Sequence, residues 1–433
     1  MVLVATGGAC SIRWGMVVSL VTGQPIPGAS VSLADPFGRI FKTTTDGSGN
    51  YRLQDLPVGY YSITVAAPGY IPQTRRTTED RFAARWQLGE DPAPNDDADG
   101  DGLSRAAEQS LGTNPATADT DNDGILDNLE ATVLEPLGLP GMGADPRRRD
   151  VFVEIDHDSI ARGTGSPEVT ASMIDQMETV YRNAPLANPD GTTGITPHID
   201  NGQLGGGTAV TVPQGWGCGG SGGYDGVNDL APERRNVFFH VLSSDLSTCG
   251  LYGLAYGNRR VVVDIGQPQL ANLQDMVGAG TILHELGHTL GLTHGGDDGL
   301  QCKPNYPSVM NYDPVPVFFN GGIDYSRGLQ PQIDEAAIDE TRSLYTYPNY
   351  DWNHNGVIDS VPYAKDVDNF TWLDPALEAI MNAVFSSFRC PLNGVSPTPL
   401  HDFDDWTHIS QNLGVAVGRP MATATRGPAV IGP

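Results

Sequence analysis

Between Ile12 and Leu88 the apolar residues come in short alternating stretches, Met16-Val17-Val18, Ala29 to Leu33 and Tyr61 to Val65. Turn-forming residues separate them at Gly23, Pro25 to Gly28, Asp46-Gly47 and Pro68-Gly69. A period of two broken by such turns predicts strands with one buried face, so residues 12–88 read as a small all-β sandwich. From Arg147 the pattern changes. Asp150 to Asp156, Asn236 to Leu242 and Arg260 to Ile265 are apolar runs of strand length, whereas Val169 to Arg182 places Met173, Met177, Val180 and Tyr181 at helical spacing. Gly202 to Gly223 reads as a flexible loop, and Thr281 to Leu290 as a helix. Strand, helix, strands and helix in that order predict an α+β domain over 147–347. A further segment, 348–420, contains a helical stretch from Pro375 to Phe388 and is expected to pack on that domain. The last dozen residues read as disordered.

A chain of 433 residues is too long for one ordinary core and predicts two to four domains. No run approaches the ~18 apolar residues needed to span a bilayer. The formal net charge of −27 disfavours nucleic acid and anionic membranes as partners. The acids are unevenly placed: between Glu90 and Glu135 Arg105 is the only base, a clustering that points to bound cations. Of the five cysteines, Cys218, Cys249, Cys302 and Cys390 can form two disulfides in three connectivities, leaving Cys10 over. Scarce lysine and Asn/Gly-rich loops fit an oxidising, extracellular setting. Met1 to Ala9 is weakly apolar, lacks a basic start and does not read as a signal peptide.

The acidic stretch, 95–135, contains an internal repeat. Asp97, Asp99, Asp101, Gly102, Leu103 and Glu108 fall at positions 1, 3, 5, 6, 7 and 12 of one loop. Asp119, Asp121, Asp123, Gly124, Ile125 and Glu130 repeat the pattern, with Asp127 added at position 9. Alternating carboxylates, a glycine for the turn, a backbone carbonyl at position 7 (Leu103, Ile125) and a terminal Glu suit calcium, which takes six to eight oxygen ligands. Glycine and glutamate recurring at the same offsets are not explained by a solvated acidic linker. A poorer loop comprises Asp351, Asn353, Asn355, Gly356, Val357 and Asp359, with Pro362 where the bidentate acid belongs unless Asp366 or Asp368 substitutes.

The most informative stretch is His284-Glu285-Leu286-Gly287-His288-Thr289-Leu290-Gly291-Leu292-Thr293-His294. Residues four apart share a helix face, so His284 and His288 can offer nitrogens to one zinc ion. Glu285 lies about 100° round the helix, able to reach a water without ligating. Gly291 permits a sharp turn that returns His294 as third ligand. Three neutral ligands leave a position for water, whose pKa falls to about 7 on such a zinc.

Three resemblances follow from these residues. TGQPIPGASVSL and TTTDGSGNYRLQDLPVGYYSITVAAPGY resemble the carboxypeptidase regulatory-like domain, which implies a prealbumin-like sandwich without chemistry of its own. The acidic loops, separated by GTNP and little helix, resemble thrombospondin type 3 repeats. HELGHTLGLTH with Tyr306-Pro307-Ser308-Val309-Met310-Asn311-Tyr312 is similar to the metzincin signature and its Met-turn. DVFVEIDHD, GLAYGNRRVVVDIG, DYSRGLQPQIDEAAIDE and DWNHNGVIDS look like uncharacterised bacterial and archaeal members of that clan. Gly295 departs from the residues that mark the familiar subfamilies, which leaves substrate preference open.

The metzincin resemblance implies Met310 as an apolar floor beneath the ligands and Tyr312 as a hydroxyl that stabilises the oxyanion. It implies a secreted endopeptidase, expected to be monomeric, that cleaves protein or peptide substrates with zinc-bound water and Glu285 as general base. Gly253 to Val263 is the expected edge strand for an extended substrate. The alternative is an extracellular calcium-dependent binding or adhesion protein retaining an inactive metalloprotease fold. The expected whole is multidomain: prealbumin-like sandwich, calcium-binding repeats and α+β metzincin domain.

Overall fold

The computed structural model describes residues 10–34, 40–57, 61–67, 69–77, 83–89, 97–132, 137–159, 168–212, 230–231, 233–244, 246, 252–256, 259–265, 274–312, 322–345, 349–368, 398–413 and 429–430. They fall into two compact units, one formed chiefly by the chain up to Arg149 with Ala231–Val237, the other chiefly from Asp150 onward. No helix among the described residues is long and apolar enough to cross a membrane.

The first unit begins with strands β1 (Cys10–Ser19), β2 (Ser30–Ala34), β3 (Ile40–Thr44), β4 (Asn50–Pro57), β5 (Tyr61–Ala66), β6 (Gln73–Thr77) and β7 (Ala83–Leu88). They form two sheets, β4-β1-β7 and β3-β2-β5-β6. The alternation in the sequence supplies one apolar side per strand, and Val17, Val31, Leu33, Leu53, Ile63 and Trp86 meet in the core. Each such side chain contributes about 1.5–3 kcal/mol on burial. Trp86 keeps its indole N–H satisfied by donating to the Tyr51 hydroxyl at 3.0 Å. The Asp46-Gly47 turn holds because Asp46 Oδ1 accepts from the Ser48 and Asn50 amides, both at 2.9 Å.

Three short helices follow, α1 (Arg105–Leu111), α2 (Asp127–Ala131) and α3 (Leu139–Met142). Gly102 has φ +100°, and a Cβ there would lie 3.0 Å from the Pro72 carbonyl oxygen. The first acidic loop therefore rests on the sandwich, and its position-6 glycine is needed for the close approach as well as for the turn.

The second unit is built on strands β8 (Asp150–Asp158), β9 (Thr196–Asp200), β10 (Ala209–Val210), β11 (Phe238–Ser243), β12 (Gly253–Tyr256), β13 (Arg260–Val263) and β14 (Ala429–Val430). The sheet order is β10-β8-β11-β13-β12-β14, with β9 also pairing β8. Pairings of β8 with β9, β10 and β11 and of β11 with β13 are parallel; β12 runs antiparallel to β13 and β14. Helices α4 (Ala171–Arg182), α5 (Gln274–Thr289) and α6 (Asp405–Leu413) accompany it. Val151, Val153 and Ile155 share a core with Met173, Ile282 and Trp406. The alternate residues of β8 are buried too. Phe152 stacks on His198 at 4.2 Å, while His198 Nε2 and His240 Nε2 lie 2.7 and 2.8 Å from Asp150 Oδ1 and Asp156 Oδ2.

Three expectations change. The motif helix begins at Gln274 rather than Thr281. Its glycines weaken a local helix signal, but a Cβ at Gly278 would sit 2.6 Å from Met173 Cε, so packing requires the small residue. Within Gly202–Gly223, Ala209–Val210 forms strand β10, and residues 213–223 lie outside the described residues. Within the tail, read as disordered, Ala429 and Val430 pair with Ala255 and Leu254, because an open sheet edge offers backbone partners that no local pattern reveals. The predicted helix from Pro375 to Phe388 lies outside the described residues.

Candidate metal centre

Helix α5 ends in a left-handed turn. The Leu292 amide donates to the Gly287 carbonyl at 3.0 Å and the Gly291 amide to the His288 carbonyl at 3.1 Å, with Gly291 at φ +91°. That is the glycine-terminated helix cap, and it folds the chain back so that His294 faces the helix. The result brings the three imidazoles together: His288 Nε2 lies 3.1 Å from both His284 Nε2 and His294 Nε2. A tetrahedral zinc at ~2.0–2.1 Å from each nitrogen needs nitrogens about 3.3–3.4 Å apart.

The opposite ring nitrogens decide the tautomers. His284 Nδ1 lies 2.7 Å from the Val309 carbonyl and His288 Nδ1 2.8 Å from the Leu292 carbonyl. Each carbonyl can only accept, so Nδ1 carries the proton and the Nε2 lone pairs converge. Converging lone pairs fit a shared cation and repel without one. Burial lowers the pKa of His284 well below the usual histidine range, with the neighbouring His288 and His294 adding to it; His294 is brought down to about 3. All are therefore held neutral, the form that ligates metal.

Glu285 is fully buried. Burial pushes its carboxyl well above the usual range, with the Ala255 backbone amide pulling the other way. It packs against β12: a Cβ on Gly253 would lie 2.4 Å from Glu285 Oε1 and 2.6 Å from Cγ. Met310 is fully buried beneath the helix, where a Cβ on Gly287 would come within 2.4 Å of its sulfur. The Tyr312 ring stands 4.1 Å from that of His294, centroid to centroid. Burial, then the Glu285 charge, pushes the Tyr312 hydroxyl above its usual range, so it remains a proton donor. The structure thus brings together His284, Glu285, His288, Gly291, His294, Met310 and Tyr312. Sequence reasoning missed Gly253 and Gly287, whose role is to leave room; no spacing rule marks such residues.

The acidic loops are organised alike. Asp97 Oδ1 and Oδ2 accept from the Gly100 and Gly102 amides at 2.7 and 3.2 Å, and Asp101 Oδ1 from the Leu103 amide at 2.7 Å. In the second loop Asp119 Oδ2 accepts from Gly124 and Asp123 Oδ1 from Ile125, both at 2.8 Å. These bonds turn the carboxylates of Asp97, Asp99 and Asp101, and of Asp119, Asp121 and Asp123, into groups within 4.8 Å. In the first loop Asp99 Oδ2, Asp101 Oδ2 and both oxygens of fully buried Glu108 have no hydrogen-bond partner among the described residues. Burial and the surrounding carboxylates raise the pKa of Asp101 and of Glu108 to about 7. Glu130, the second loop's terminal acid, is buried as well. Such a set can hold a hard divalent cation. Asp127 instead accepts from the Thr120 amide and hydroxyl at 2.8 and 2.7 Å, closing its own loop.

The third loop differs. The Asn353 and Asn355 side-chain amides donate to Asp359 Oδ2 at 2.8 and 3.0 Å, and Asp351 Oδ2 accepts from the Gly356 amide at 2.8 Å. Buried Glu340 braces it from outside, accepting from the Trp352 and Asp359 amides at 3.0 and 2.8 Å. Val357 is exposed. The Asp368 amide donates to Glu335 at 3.1 Å. Cys302 is disulfide-bonded; Cys218, Cys249 and Cys390 lie outside the described residues.

Residues 14–84 match the carboxypeptidase regulatory-like domain. Residues 97–118 and 119–133 match the bacterial TSP3 repeat. Both matches lie in the first unit, where the sandwich and the two acidic loops are. A comparison with curated proteins finds no match. Among solved structures, hydroxyquinol 1,2-dioxygenase from Pseudomonas putida DLL-E4 is similar at 12% identity over 20% of this chain and 58% of its own, with a TM-score of 0.16. The Streptococcal ancillary pilin is similar at 18% identity over 20% and 31% of the two chains, TM-score 0.17. The Bacillus anthracis TIE protein is similar at 21% identity over 19% and 17%, TM-score 0.17. This chain therefore spans less than two thirds of each, and nothing about function follows from these likenesses.

Proposed function

We propose that the chain is a secreted zinc-dependent endopeptidase of the metzincin type, with calcium bound in the two TSP3-type loops. One observation carries the reading: His288 Nε2 lies 3.1 Å from both His284 Nε2 and His294 Nε2, with backbone carbonyls setting the tautomers of His284 and His288, beside a fully buried carboxylate. His284, His288 and His294 would hold the zinc, which supplies a Lewis acid for the scissile carbonyl and a water of lowered pKa. Glu285 takes the proton of the attacking water and returns it to the leaving amine. Tyr312 donates its hydroxyl to the oxyanion, and Met310 keeps the floor dry. An extended peptide would pair with β12, next to Gly253 and Glu285, on the side that Ala429–Val430 occupy and would have to leave. The Cys302 disulfide and the TSP3-type repeats support an extracellular setting.

The test is casein hydrolysis by the full chain and its Glu285→Ala variant, each assayed for zinc, with calcium present. The wild type should cleave, and the variant should keep its zinc while losing roughly 10²–10⁴-fold or more in rate. Zinc in both with cleavage by neither would favour the alternative, a calcium-dependent binding protein with an inactive site. Zinc in neither would remove the metal assignment itself.

A further inference from the structure

Nothing in the sequence of the C-terminal segment suggests a part in the chemistry, yet one of its residues reaches the support of the metal ligands. Asp405, in the first turn of α6, is fully buried. Its Oδ1 accepts from the Tyr306 hydroxyl at 2.7 Å; its Oδ2 accepts from the Ser308 hydroxyl at 2.5 Å and the Ser326 amide at 2.9 Å. Tyr306 and Ser308 open the turn that ends in Met310 and Tyr312. The helix carrying Asp405 is itself anchored, since buried Trp406 meets the Tyr325 ring at 5.1 Å and the Tyr181 ring at 6.3 Å.

The hydrogen bonds run in one direction from there. Ser308 commits its proton to Asp405, which leaves its oxygen to accept from the Met310 amide at 3.1 Å. Val309, between Ser308 and Met310, presents the carbonyl that lies 2.7 Å from His284 Nδ1. The Val309 amide is tied to the Asp324 carbonyl at 2.9 Å, and Asn311 Nδ2 donates to the Lys303 and Tyr306 carbonyls at 2.7 and 2.8 Å. The turn is thus fixed at both ends, and the acceptor that sets the His284 tautomer is held through Ser308.

We propose that Asp405 is a positioning residue of the metal centre: through Ser308 it holds the Val309 carbonyl against His284, so that the last helix sets the ligand geometry. The inference rests on the zinc reading above. Its neighbours in the same acidic run have other tasks. Asp404 caps α6 by accepting from the Thr407 amide at 3.0 Å, and Asp402 accepts from the Ser326 hydroxyl at 2.5 Å and the Gln330 amide at 2.9 Å. Only Asp405 faces Ser308. An amide at position 405 would keep the shape but turn a donor toward groups that are themselves donors, freeing the Ser308 hydroxyl to rotate and leaving the Met310 amide without its acceptor.

The test uses the full chain with calcium present. Zinc affinity is measured by competition with a chromogenic chelator in the wild type and in Asp405→Asn, Ser308→Ala and Trp406→Phe. Cobalt-substituted spectra are recorded alongside, and the metal-free melting temperature is measured for each. Outer partners of metal-bound histidine typically change affinity 10- to 100-fold. Asp405→Asn and Ser308→Ala are expected to bind zinc that much more weakly and to shift the cobalt bands, whereas Trp406→Phe lowers melting without either effect. If Asp405→Asn does not fold, Ser308→Ala carries the test alone. Wild-type zinc affinity in Ser308→Ala and in any folded Asp405→Asn, whatever their melting temperatures, overturns the proposal and leaves the zinc reading standing. A wild type that takes up no zinc overturns both.

Discussion

Gly253 shows how a residue without chemistry of its own governs the placement of the proposed base, Glu285. Its missing side chain leaves the space that the Glu285 carboxylate occupies, and a Cβ there would approach Oε1 to 2.4 Å and Cδ to 2.7 Å. Glu285 is fully buried, so it has nowhere to retreat without losing its aim. Gly253→Ala should retain zinc yet cleave casein roughly 100-fold more slowly, the scale expected for a misplaced catalytic group. Unchanged hydrolysis with full zinc would show that the carboxylate adapts. At this scale much of the site was legible. The spacing of His284, His288 and His294, with Gly291 before the third, is a local property of one helix and its cap. Gly253, Gly287 and Asp405 were not, because each acts on a neighbour distant in sequence.

At the scale of elements, the acidic loops and the sheet edge make opposite cases. The loops are largely local: the aspartates at positions 1, 3 and 5 are turned by amides a few residues on, so the repeat pattern predicts their geometry. Because Asp101 and Glu108 are raised to about 7 in the folded, metal-free loop, that fold holds protons more tightly than the unfolded chain does. Metal-free stability should therefore decline as the pH rises from the ordinary carboxyl range toward 7, while protons compete with calcium below 7. Calcium titrations should accordingly give weaker binding at pH 6 than at pH 8, with protons released on binding at pH 6; equal affinities would contradict this. At the sheet edge, Ala429–Val430 occupy the outer side of β12, where the proposed substrate would pair. A chain ending before Ala429 should show a KM for casein about 2- to 10-fold lower with kcat unchanged, since competing backbone hydrogen bonding worth about 0.5–1.5 kcal/mol in all is lost. An unaltered KM would place the substrate elsewhere.

The metal sites proposed for the whole molecule divide between its two units: the acidic loops lie in the first and the histidine cluster in the second. A ligand that binds only a folded unit stabilises that unit by mass action. Calorimetry of the full chain should therefore resolve a transition raised by calcium and another raised by zinc. A single transition moved equally by either ion would show that the units unfold as one. Read alone, the sequence determined whatever depends on neighbours along the chain. This includes the alternation that makes the sandwich, the repeated carboxylate–glycine–glutamate offsets, and the helix-and-turn spacing of the histidines. Tertiary structure alone decided the rest: which strand edge is covered, which glycines are spaces rather than hinges, and how Asp405 comes to face Ser308. These are contacts between residues far apart in sequence, set by packing density and by the need to satisfy each buried polar group. Neither requirement leaves a periodic trace in the chain.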